Sequence, residues 1–102
     1  MTANDVKKLL GIPLADTTKD DYLNTSLPLA EEFIKTYCND EFQGGLPAGI
    51  QLGISKLLQY YEQKTAVVSE RVDDLAIAFA DPSQIPQSIL IFFKPYRKVR
   101  FI

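Results

Sequence analysis

A chain of 102 residues, 46% apolar and 24% charged, has the composition of one globular domain with a modest core rather than of a disordered segment. It has no histidine and a single cysteine, Cys38, which excludes an intramolecular disulfide and the usual zinc sites and hydrolytic triads. The net charge of −2 hides an asymmetry: residues 1–93 carry thirteen acids against seven bases, a net of −6, while the last nine residues carry four bases and no acid.

The opening MTANDVKKLLGIPLAD lacks the apolar run of a signal peptide, and no stretch approaches the roughly 18 apolar residues of a membrane span. The expected setting is a cytoplasm, with no membrane partner. Thr2, followed by Asp5 three residues on, predicts a capped helix with Val6, Leu9 and Leu10 on its apolar face, stopped by Gly11 and Pro13. Thr17 or Thr18 is expected to cap a longer helix. Asp20 and Asp21 fall in its first turn, and Tyr22, Leu23, Leu27, Ala30, Phe33, Ile34 and Tyr37 recur at helical spacing. Pro28 deprives the Asn24 carbonyl of its donor and predicts a kink or break.

The stretch NDEFQGGLPAG marks a connection, with Pro47 as the expected first position of the next helix. Ile50, Ile54, Leu57, Leu58 and Tyr61 then define an amphipathic helix to about Lys64. Beyond it the period changes. In RVDDLAIAFAD, Leu75, Ile77 and Phe79 alternate with Asp74, Ala76, Ala78 and Ala80, predicting a strand or extended arm over about 66–81, with a helix as the alternative because alanine favours one. Residues 85–93 read as a short apolar helix ended by Pro95. The expected fold is mainly α: a bundle of about four helices in residues 1–93, an extended or strand-like arm, and an extended basic tail over 94–102.

Catalytic and metal motifs are absent. GGLPAG has neither the GK[ST] ending of a P-loop nor the GxGxxG spacing of a dinucleotide site, and reads as a turn between helices. The pairs Asp20/Asp21, Glu31/Glu32, Asp40/Glu41 and Asp73/Asp74 read as solvated helix faces, because neighbours on a helix point about 100° apart. DTTKDD lacks the glycine and terminal glutamate of a calcium loop. Cys38 has no histidine to activate it and reads as packing. The expectation is a protein with no enzymatic activity, cofactor or metal. The tail, in which Lys94, Arg97, Lys98 and Arg100 surround Tyr96 and Phe101, fits three uses: binding phosphates and bases, docking on another protein, or folding back on the core.

The order NDVKKLLGI, DDYLNTSLPLAEEFIKTYC, LPAGIQLGISKLLQYYEQ, SERVDDLAIAFADP and IPQSILIFFKPYRKVRF resembles, over essentially the whole chain, the head-to-tail connector (adaptor) proteins of tailed bacteriophages, including those of Bacillus siphophages. The resemblance implies a structural virion protein, made in the host bacterial cytoplasm. It would form a ring of twelve subunits beneath the portal, extend the DNA exit channel, and give a platform to the stopper or head-completion protein. Lys94, Pro95, Tyr96, Arg97, Lys98, Arg100 and Phe101 are the residues it implies for portal docking. Leu75, Ile77 and Phe79 are the candidate subunit or stopper interface, as an apolar arm open to addition. Genomic DNA would pass without sequence-specific binding, repelled by the acidic body. The alternative is a small helical nucleic-acid-binding module acting through the tail. Against it stand an isoelectric point near 5.0 and the presence of only Lys56 as a cation between Ile50 and Tyr61.

Overall fold

Thr2 and Asp5 satisfy each other at the start of the chain: the Asp5 carboxylate accepts from the Thr2 N–H at 2.8 Å, and the Thr2 hydroxyl accepts from the Asp5 N–H at 3.3 Å. This capping box opens α1, Ala3–Leu10, which ends on Gly11 in the left-handed conformation. The computed structural model describes residues 1–64 and 68–98. Four further helices follow: α2 (Asp20–Cys38), α3 (Ala48–Lys64), α4 (Val68–Ala80) and the single turn α5 (Gln87–Leu90). Short 3-10 turns lie at Pro82–Gln84 and Lys94–Tyr96, and no strand occurs among the described residues. The mainly α fold expected from the sequence is the one observed.

The start of α2 differs from expectation. Neither Thr17 nor Thr18 caps it; Asp16 accepts from both the backbone N–H and the hydroxyl of Thr18, at 3.0 and 2.6 Å, leaving Lys19 at the cap position without a side-chain bond. The helix entrance is held instead by Lys7, only 1% exposed, whose ammonium pairs with Asp20 and reaches the Leu14 carbonyl. A buried stem with a paired head is the arrangement that makes an interior lysine tolerable.

Pro28 does not break α2, which runs unbroken to Cys38. Its missing N–H orphans the Asn24 carbonyl, but Asn24 and Pro28 both lie on the exposed face, where water can take the bond. Leu23, Leu27, Ala30 and Ile34 are buried on the opposite face on both sides of the proline, so breaking the helix would forfeit their packing. Pro47 precedes α3 rather than opening it, and its carbonyl accepts from the Gln51 N–H at 3.0 Å.

The expected strand-like arm over about 66–81 is corrected: Val68–Ala80 is helical, and residues 66 and 67 lie outside the described residues. Alternation misled because Leu75, Ala78 and Phe79 also stand at i, i+3 and i+4. Leu75 and Ala78 are fully buried and Phe79 is half-buried, whereas Ile77 is 61% exposed. The core lies between α1, α2, α3 and α4, with Val6, Leu27, Ile34, Ile54, Leu57 and Leu75 among its fully or nearly fully buried side chains. Tyr22 crosses it, donating from its hydroxyl to the Leu58 carbonyl at 2.8 Å.

The tail also departs from expectation. Lys94–Tyr96 forms a turn of 3-10 helix, Arg97 is extended, and Lys98 is hydrogen-bonded to the body, while residues 99–102 of the expected tail lie outside the described residues. Pro95 is compatible with this turn because its fixed φ suits the first positions of a helix.

Candidate interface: the C-terminal strap and the outer face of α4

Phe93 begins a strap that closes the end of the molecule where α2 finishes and α3 starts. Its ring is fully buried over Gly53, and Tyr96 lies over Gly49 one helical turn earlier. The approach is close at both places, so a side chain at either glycine would displace an aromatic residue of the strap. A Cβ at Gly53 would fall 2.5 Å from Phe93 Cε1 and 2.7 Å from Phe92 Cβ; one at Gly49 would fall 2.7 Å from the Tyr96 hydroxyl oxygen. Two glycines four residues apart put both gaps on one face of α3.

From Tyr96 the strap crosses to the end of α2. Arg97 lies over the Tyr37 ring, 4.5 Å from its centroid, and its Nε donates to the Tyr37 carbonyl at 3.2 Å. The Lys98 N–H donates to the Cys38 carbonyl at 2.8 Å, and its ammonium stands 3.1 Å from the Asp40 carboxylate. These bonds occupy carbonyls of the last helical turn, which have no intrahelical donor. The side chain of Asp40 also accepts from the Phe42 N–H at 2.9 Å; that bond first, then Lys98, holds its carboxyl below the usual 3.8. Lys94 donates to the Gln87 amide oxygen at 2.9 Å.

Of the residues expected to dock on a portal, Lys94, Pro95, Arg97 and Lys98 are exposed, and Tyr96 is half-buried against α3. Arg100 and Phe101 lie outside the described residues. The structure therefore brings the four exposed residues to one end of the bundle, and it turns Tyr96 inward.

Leu75, Ile77 and Phe79 do not share a surface. Leu75 is core, Phe79 stacks on Phe33 with centroids 4.6 Å apart, and Ile77 alone of the three projects outward. Beside Ile77 stand Asp73, Ala76 and Ala80, all exposed at the spacing of one helix face. Phe33 also meets Tyr37 at 5.6 Å, and Tyr37 meets Phe93 edge-on at 6.4 Å, so one aromatic row joins α4 to the strap.

Burial pushes the Cys38 thiol up to about 11, and its Sγ approaches the Phe93 carbonyl at 3.8 Å, which makes it a packed group and a poor nucleophile. Among the described residues no three His, Cys, Asp or Glu side chains are grouped to hold a metal. An open hollow of about 430 Å³ is lined by Glu32, Lys35, Thr36, Asn39, Asp40 and Glu41 at the end of α2. No described helix is long and apolar enough to cross a membrane. Sequence reasoning missed the seat at Gly49 and Gly53, although GIQLG within an apolar helix carried its signature.

Residues 1–97 match the phage gp6-like head-tail connector protein family. The head completion protein gp15 of Bacillus phage SPP1 is 31% identical over 104 residues, an alignment covering 97% of this chain and 98% of that protein. No solved structure matches the chain.

Proposed function

The chain belongs to the phage gp6-like head-tail connector family, and on the premise of a structural role at the head-tail junction of the virion we propose that it assembles as a ring beneath the portal. The ring, of twelve subunits, extends the DNA exit channel and carries the stopper or head-completion protein on its far side. The protein works by assembly and conduit, without turnover, and is made in the host cytoplasm before joining the virion.

Portal docking falls to the C-terminal segment, with Lys94, Pro95, Arg97, Lys98, Arg100 and Phe101 as contacts and Tyr96 as its anchor. The observation that carries this is the exposed row of cations, Lys94, Arg97 and Lys98, at the end of the bundle where α2 finishes. Arginine and aromatic side chains concentrate binding energy at protein interfaces, and repetition around a ring multiplies a weak single contact. The net of −6 in residues 1–93 suits a channel through which duplex must slide without adhering. Ile77, supported from inside by Leu75 and Phe79, is the contact to the neighbouring subunit or the stopper.

The test is co-sedimentation with a purified portal ring, comparing the full chain with a chain ending at Lys98, which keeps every strap contact described above. Duplex DNA serves as a parallel partner. Near one-to-one binding that weakens on truncation, with no DNA association, is the expected result. Salt-sensitive DNA binding without portal association would overturn it.

A further inference from the structure

We infer that Gly49 is a positioning residue for portal docking: by leaving room for Tyr96, it fixes the course of the strap up to Lys98. This rests on the portal reading above. The argument begins with an asymmetry between the two glycines. At Gly53 a Cβ would strike Phe92 Cβ and the fully buried Phe93 ring, groups tied to the core. At Gly49 the three nearest atoms all belong to Tyr96, the hydroxyl oxygen (2.7 Å), Cε2 (3.1 Å) and Cζ (3.3 Å), the far end of a half-buried side chain. The first gap is a packing requirement. The second is a socket that can be closed while the bundle stays intact.

Closing it acts on everything downstream. Among the described residues Tyr96 is the last whose side chain is part-buried against the body; one residue later Arg97 reaches Tyr37, and two later Lys98 reaches Cys38 and Asp40. Both are exposed, and the Lys98–Asp40 ion pair and the Arg97 stack on Tyr37 are contacts that solvent and salt weaken, which leaves the bonds to the Tyr37 and Cys38 carbonyls open to water. With Tyr96 unseated, they alone do not hold the strap. A released strap must be ordered when it binds, and that conformational cost appears as lost affinity. With Tyr96 seated, the strap is ordered as far as Lys98 before the portal arrives.

The experiment compares full-length wild type with Gly49→Ala, Tyr96→Ala, the double variant and Arg100→Ala/Phe101→Ala. It reads thermal melting, exchange of the Lys98 amide, and affinity for a purified portal ring. For Gly49→Ala we expect a near-native melt, Lys98 exchange faster by on the order of tenfold, and portal affinity weaker by on the order of tenfold. Tyr96→Ala should do the same, and the double variant should lose no more than either single, because both changes remove one contact. Native portal affinity in Gly49→Ala, while Arg100→Ala/Phe101→Ala binds weakly, would overturn the positioning role and leave the portal reading standing. Native affinity in both would overturn the two together.

Discussion

Arg97 is held twice by a single residue: its guanidinium stacks over the Tyr37 ring at 4.5 Å while its Nε donates to the Tyr37 carbonyl at 3.2 Å. Tyr37 also presents its ring to Phe93 and Phe33, so it links the strap to the aromatic row of α2 and α4. Tyr37→Ala removes all of these ring contacts but keeps the backbone acceptor. We expect a stability loss of about 1–3 kcal/mol from the lost packing, with the Lys98 amide exchanging faster than the core. Tyr37→Phe retains the ring and should behave as wild type in both measurements. Equal loss in the two variants would show that the hydroxyl, not the ring, matters.

Pro28 gives a prediction of opposite sign. Because α2 is continuous through it, the native conformation already suits an ordinary residue, and Pro28→Ala would restore a donor for the Asn24 carbonyl. A proline inside a helix costs about 3 kcal/mol, part of which is here relieved by water at the exposed carbonyl. Chemical denaturation should therefore show Pro28→Ala to be more stable by about 1–2 kcal/mol, since alanine also has the best helix propensity. A less stable variant would mean that a bend at this point serves the packing of Leu27 and Ala30.

Stability should fall at both ends of the pH scale, for different groups. Asp5, Asp16, Asp40 and Asp81 each accept bonds in caps or turns and hold their carboxyls below the ordinary 3.8. A lowered folded value contributes stability that is present above 3.8 and is lost as pH falls below it. Burial raises the Cys38 thiol from 9.0 to about 11 and the Tyr22 phenol above its usual 10.0. For these acids the unfolded chain ionises first, so their contribution is complete below pH 9 and is lost as pH rises beyond it. Melting temperatures from pH 2 to 11 should form a plateau between about pH 5 and 8, and Asp5→Asn should flatten part of the acid limb. An acid limb unchanged in Asp5→Asn would remove the capping box from this account.

Much of this fold was legible because its elements are set by local chemistry. The capping box at Thr2 and Asp5, the left-handed Gly11 and the apolar face of α3 are each decided within a few residues, and they stand where the spacing puts them. α4 was misread because Leu75, Ile77 and Phe79 satisfy a period of two while Leu75, Ala78 and Phe79 satisfy the helical one. Choosing between them requires Phe33, forty-six positions away from Phe79 in the chain, on which that ring stacks. The strap was illegible for the same reason. Its turn and its attachment depend on Gly49, Gly53, Tyr37 and Cys38, none of them near it in sequence.

The misreading of α4 also changes which residue should be tested at the assembly surface. Phe79 is stacked within the molecule and Leu75 is fully buried, so changing either confounds folding with assembly. Leu75→Ala should cost about 2–5 kcal/mol, as removal of a buried leucine does, and it reports on the monomer alone. Ile77 is 61% exposed on a face shared with Asp73, Ala76 and Ala80, where a substitution shifts stability by about 0.5 kcal/mol or less. Ile77→Asp should therefore keep the monomer's melt while abolishing ring growth on a portal template, scored by electron microscopy and by the subunit ratio in sedimented complexes. If rings still complete but the stopper no longer joins, Ile77 belongs to the stopper face. If both assemble normally, the outer face of α4 is solvent-facing in the virion and the interface lies elsewhere.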